Sequence, residues 1–103
     1  MTDDDGRTPL LSASSNGRYD IAQLLLQSGA AVDSRDKNGW IPLSLASGNG
    51  HLYVAQLLLQ SGAVVDFRDN NGRAPLSLAS DNGHLDILRL LRQSSRRRHG
   101  ELS

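Results

Sequence analysis

No cysteine occurs in these 103 residues. That excludes disulfides, a thiolate nucleophile and every cysteine-based metal site. Aromatic residues are nearly as scarce, with one Trp, two Tyr and one Phe. Together with the heavy use of leucine, this points to aliphatic packing between helices rather than a sandwich built on rings. Net charge is also missing: eleven basic residues balance eleven acidic ones, so the whole molecule has no bulk bias toward nucleic acid or membrane. Apolar runs stay short, of the kind Gly62-Ala63-Val64-Val65, far below the roughly 20 residues of a membrane-spanning helix. The first residues carry no leader pattern. The expectation is a soluble intracellular protein, cytoplasmic or nuclear, without a membrane partner. The length has room for a single domain over residues 1–103.

The balance of charge hides a gradient. Residues 1–33 carry Asp3, Asp4, Asp5, Asp20 and Asp33 against Arg7 and Arg18, a net of −3. Residues 67–103 carry seven Arg against Asp69, Asp81, Asp86 and Glu101, a net of +3. Two readings follow: a monomer with two solvated ends, or head-to-tail association through ends of opposite sign.

What the chain does have is repetition. "PLLSASSNGRY" at Pro9, "PLSLASGNGHL" at Pro42 and "PLSLASDNGHL" at Pro75 are each 33 residues apart. Gly6, Gly39 and Gly72 keep the same spacing, as do Gly17, Gly50 and Gly83, and Gly29 and Gly62. A fixed period of this size marks a stacked array, in which each unit buries its apolar face only against its neighbours. Within each unit, Pro opens a short helix, because its fixed φ and missing N–H suit the first turn. Thr8 can cap the first such helix. Ile41 and Ala74 hold the matching places and cannot, a loss of roughly 1 kcal/mol each. Asn-Gly ends each short helix, with the Gly in a left-handed conformation. A second helix follows with apolar residues at i, i+3 and i+4: Ile21, Leu24 and Leu25, then Val54, Leu57 and Leu58, then Ile87, Leu90 and Leu91. These faces are expected to be core. Gly29 and Gly62 stop the second helix, and Asn-Gly turns between short extended arms lead to the next Pro. In the third unit Arg92 replaces Leu26 and Leu59, Arg89 replaces Gln23 and Gln56, and Ser95 replaces Gly29 and Gly62. That is the polar change expected where a stack meets water, and the lost Gly lets the last helix run on toward Arg98.

Chemistry-bearing patterns are few. His51 and His84 recur with the period, and Arg18 takes the third place, which favours an architectural role over catalysis. "DFRDNNG" fails as a calcium loop, because Phe67 falls at the first ligand position and Leu78 where the bidentate Glu belongs. No nucleophile elbow, phosphate loop or dinucleotide motif is present. Neither an enzymatic activity nor a metal or cofactor is expected. The tail "RQSSRRRHGELS" holds Arg96, Arg97 and Arg98. It reads as a solubilising end or as a weak nucleic-acid signal without interleaved aromatics.

The frame D-x-x-G-x-x-P-L-x-x-A, followed by N-G-H-L and L-L-L-x-x-G-A-x-V-D, resembles the ankyrin repeat. The resemblance covers residues of about 3–35, 36–68 and 69–98, and the P-L-S-L-A-S-x-N-G-H wording is similar to ankyrin arrays of fungal proteins. It implies an all-α solenoid of three helix-turn-helix units with projecting β-hairpin loops. The family's T-P-L-H reads Thr8-Pro9-Leu10-Leu11, Ile41-Pro42-Leu43-Ser44 and Ala74-Pro75-Leu76-Ser77. The usual His is thus absent, and only Ser44 and Ser77 can replace part of its bonding.

The resemblance also implies a role: a non-catalytic module that binds a partner protein through hairpin tips and the concave face of the first helices. The family's variable positions fall here on Asp4, Asp5, Arg7, Ser15 and Asn16 in the first unit. In the second they fall on Arg35, Lys37, Asn38, Trp40, Gly48 and Asn49, and in the third on Arg68, Asn70, Asn71, Arg73, Asp81 and Asn82. Trp40, the sole Trp, reads either as an interface anchor or as a ring lying on its own hairpin or over a neighbouring Arg. The alternatives are a designed or minimal scaffold without a natural ligand, and nucleic-acid contact through the Arg-rich tail.

Overall fold

The computed structural model describes residues 6–101, with side chains described as far as Ser95. Three helix pairs follow one another: α1 (Pro9–Ser15) with α2 (Tyr19–Gln27), α3 (Pro42–Gly48) with α4 (Leu52–Gln60), and α5 (Pro75–Asp81) with α6 (Leu85–Glu101). The short helices form one layer, with α3 between α1 and α5. The longer ones form a second, with α4 between α2 and α6. The two layers share a core of Leu10, Leu43, Ala46, Val54, Leu58, Ile87 and Leu91. This is the all-α helix-turn-helix stack expected from the period.

Local chemistry sets the boundaries. A proline occupies the first turn of α1, α3 and α5. Thr8 Oγ1 accepts the Leu11 N–H at 3.3 Å, capping α1. Ile41 has no such group, but Ser44 Oγ accepts the Ile41 N–H at 3.3 Å and satisfies that buried amide from the other direction. Ala74 has no side-chain cap, and Ser77 points to solvent. Gly50 ends α3 at φ +80°, where a Cβ would lie 2.6 Å from His84 Cε1. Both the left-handed backbone and the imidazole of the next unit therefore demand glycine.

Two expectations need correction and a third holds. Ile21 and Leu24 are exposed rather than core, because within its layer α2 has a neighbour, among the described residues, only on the α4 side. The connecting loops contain no strand among the described residues; each is a tight turn closed by two backbone bonds, Asp36 N–H to the Trp40 carbonyl at 3.0 Å with Gly39 N–H to the Asp36 carbonyl at 3.0 Å, and Asp69 N–H to the Arg73 carbonyl at 2.9 Å with Gly72 N–H to the Asp69 carbonyl at 2.9 Å. Finally, α6 runs past Arg98 to Glu101, 17 residues against nine in α2 and α4, in line with the glycine lost at Ser95.

Candidate partner-binding surface

The projecting turns are built around two buried carboxylates. Asp36 Oδ1 accepts the Asn38 N–H at 2.8 Å and the Trp40 N–H at 3.0 Å. Asp69 Oδ1 repeats this with Asn71 at 2.8 Å and Arg73 at 2.9 Å. Aspartate suits the place because its short side chain bonds the backbone two and four residues on, bending the chain without a partner strand. The second oxygens face cations: Arg7 Nε lies 3.7 Å from Asp36 Oδ2, and Arg73 Nε 3.7 Å from Asp69 Oδ2. Burial pushes the Asp69 carboxyl up. The Arg73 and Asn71 amides, the Trp40 indole N–H and the Arg73 charge together outweigh it and hold the acid below its ordinary value.

Successive turns are tied edge to edge. Asn70 donates its N–H to the Asn38 carbonyl at 3.0 Å and its Nδ2 to the Lys37 carbonyl at 3.0 Å. Gly39 permits this approach: it is buried at φ +80°, and a Cβ there would sit 2.9 Å from Asn70 N. The Arg35 guanidinium lies 5.8 Å from the Phe67 ring centroid, and Arg68 Nη1 donates to the Gly72 carbonyl at 2.8 Å. Arg35, Lys37, Arg68 and Arg73 are all exposed while Asp36 and Asp69 are buried, so the turn edge presents a strip of positive charge.

A second strip lies at the far ends of the short helices, about 10 Å away along seven-residue helices. Asn49 Nδ2 donates to the Ser15 carbonyl at 3.0 Å and to its Oγ at 3.2 Å. His51 Nε2–H donates to the same carbonyl at 3.0 Å, and His84 Nε2–H to the Gly48 carbonyl at 3.2 Å. Asn16 and Asn82 turn inward, bonding the Ser12 and Leu78 carbonyls at 2.9 Å. Asp81 is exposed beside them.

The expected contact residues therefore divide. Arg35, Lys37, Asn38, Arg68, Asn70, Asn71 and Arg73 lie together on the turn edge, whereas Asn49, Asp81 and Asn82 lie on the other strip. Asp4 and Asp5 lie outside the described residues. Arg7 and Trp40 are half-buried, and each reaches the turn aspartate of the following unit. Sequence reasoning missed this bracing role of Trp40. The signal was present: Arg7 to Asp36 and Trp40 to Asp69 are the same 29-residue step. Among the described residues no three metal-ligating side chains converge, and no helix is long and apolar enough to cross a membrane.

Paired helices stacked in two layers, with projecting turns bonded edge to edge, define a helical repeat solenoid. A profile of ankyrin repeats in three copies matches residues 28–97, and the single ankyrin repeat profile matches residues 5–37. The chain belongs to the ankyrin repeat family, whose members are generally protein–protein interaction modules and typically non-enzymatic. No curated protein matches the chain significantly.

Proposed function

We propose that this chain is a non-catalytic binding module whose turn edge captures an acidic segment of a partner protein. One observation carries the reading: the turns bury their carboxylates and leave Arg35, Lys37, Arg68 and Arg73 in solvent. The supporting frame is rigid, because both described turns are closed by their own aspartates and Asn70 ties the second turn to the first. Binding to such a surface forfeits little conformational freedom. Four cations along one edge favour a chain of carboxylates over an apolar helix.

The test uses fluorescently labelled Glu-rich and Asp-rich peptides, with sequence-matched Gln and Asn peptides as controls, titrated with the 103-residue protein. Binding of the acidic peptides alone, weakened by salt, supports the reading. Replacing Lys37 and Arg68 by Glu is expected to reduce affinity at least tenfold while the helical circular dichroism stays intact. Both side chains are exposed, and the one bond Arg68 makes, to the Gly72 carbonyl, is itself solvent-exposed, so their loss separates binding from folding. Equal affinity for the neutral peptides, an unaffected K37E/R68E variant or a clear preference for single-stranded RNA would each overturn it.

A further inference from the structure

The two ends of the stack expose the apolar side chains that the middle buries. In the first unit Ile21 and Leu24 are 49% and 63% exposed, whereas Val54 and Leu57, 33 residues on, are 2% and 9% exposed. At the other end Leu76 and Leu85 are 37% and 65% exposed, while Leu43, at the register of Leu76, is fully buried. Leu76 also borders an open groove of about 370 Å³, whose floor includes Val65, Ala74 and Leu91. The face that receives a following unit is thus open at the α5–α6 end. The face that packs on a preceding unit is open at the α1–α2 end.

Polar groups at the two ends match in the same register. Inside the stack, His51 reaches back to the Ser15 carbonyl and His84 to the Gly48 carbonyl. One period on, the accepting residue is Asp81. One period back, the reaching residue is Arg18. Both are exposed, and neither side chain has a hydrogen bond or ion pair among the described residues. The Val64 N–H likewise donates to Asp33 Oδ1 at 3.2 Å across the internal boundary. The corresponding groups at the ends are the exposed Ala31 and the exposed Asp66.

We infer that the α5–α6 end of one molecule receives the α1–α2 end of a second copy, extending the internal boundary from chain to chain. Ile21 and Leu24 cover Leu76 and Leu85, Arg18 pairs with Asp81, and the Ala31 N–H meets Asp66. A second copy suits these ends because the residues that break the internal pattern do so in complementary fashion. Where the interior seats a His on the Ser15 or Gly48 carbonyl, the outer faces carry Arg and Asp. The net charges of −3 over residues 1–33 and +3 over residues 67–103 add long-range attraction. Because the two patches differ, the contact is heterologous and produces open-ended rows of molecules rather than a closed dimer.

Sedimentation velocity of the 103-residue protein over a concentration series tests this. The expected result is a weight-average mass that climbs with concentration and falls with salt. Leu24→Asp and Leu85→Asp each disable one end at an exposed site, so each variant alone is expected to be monomeric. Mixed together, they form a one-to-one dimer that grows no further. Arg18→Glu or Asp81→Arg alone weakens association at least tenfold, and the double variant R18E/D81R restores it. A protein that stays monomeric at millimolar concentration overturns the inference, as does a double variant that fails to recover. Association abolished by Tyr53→Asp but indifferent to the end variants assigns the contact to the groove between α2 and α4, and overturns it too.

Discussion

The hexapeptide Pro-Leu-Ser-Leu-Ala-Ser occurs at residues 42–47 and again at 75–80, and the two copies sit in different surroundings. In α3 all six residues are buried, since α1 covers one side and α5 the other. In α5 only Pro75, Leu78 and Ala79 are buried, while Leu76, Ser77 and Ser80 face solvent. Helix formation is the same in both, because proline, turn glycine and propensity are local. Burial is not, because it depends on which unit stands next door. Identical residues therefore hold different shares of the stability.

The sharpest way to break the comparison is to truncate the same leucine in each copy. Leu43→Ala is expected to cost about 2–5 kcal/mol, the range for a fully enclosed leucine, whereas Leu76→Ala should cost under about 1.5 kcal/mol. Urea denaturation of both variants measures the gap, and equal losses would mean that the α5 end is covered in solution. Glycine separates the units next. Gly50→Ala combines a left-handed backbone with a collision against the His84 ring, for about 2–4 kcal/mol. Gly83→Ala meets no atom within 4 Å and is expected to cost only the backbone term, about 1–2 kcal/mol, read from the shift in thermal midpoint.

Serine gives a smaller effect of opposite sign. Ser47 Oγ is buried without a hydrogen-bond partner, while Ser80 is exposed at the same register. Ser47→Ala should raise stability by about 0.5–1.5 kcal/mol and Ser80→Ala should leave it unchanged, in the same denaturation assay. The smallest effect is on the turns. The folded pKa of Asp69 lies below its ordinary value of 3.8, so its contribution is fully present above that value. As pH falls from there through the lower folded pKa, the contribution is lost. Stability measured from pH 5 to pH 2 should therefore fall less steeply in Asp69→Asn than in the parent protein.

Much of the architecture was legible because each landmark acts within its own unit. Pro9, Pro42 and Pro75 start helices, Gly29 and Gly62 stop them, and Arg92 marks the outward turn of the last unit. The recurrence of His51 and His84 pointed correctly to a structural place. What stayed hidden depends on contacts between units. Ile21 carries the same apolar signature as Val54, and it is exposed because no helix among the described residues packs on its side of α2. Trp40 stayed open between an interface anchor and a ring on its own hairpin or a neighbouring Arg, because Asp69, which it reaches, sits in the next unit. The extended arms expected around Asn-Gly are absent since the aspartate carboxylates close the turns themselves. On the candidate site, sequence reasoning put into one surface residues that the structure divides between two strips separated by the length of the short helices.

The seating of each imidazole in the space left by the previous unit's glycine bears on how such arrays can be recombined. The latch straddles the border between units, with Gly17 and the Ser15 carbonyl on one side and His51 on the other. A graft cut at that border delivers half a joint, leaving a carbonyl unbonded or a ring wedged against a foreign side chain. Because the span from Ser15 to His51 overlaps the span from Gly48 to His84, every crossover between residues 15 and 84 severs at least one latch. A recombined array keeps its joints only where the incoming segment restores the same glycine and histidine.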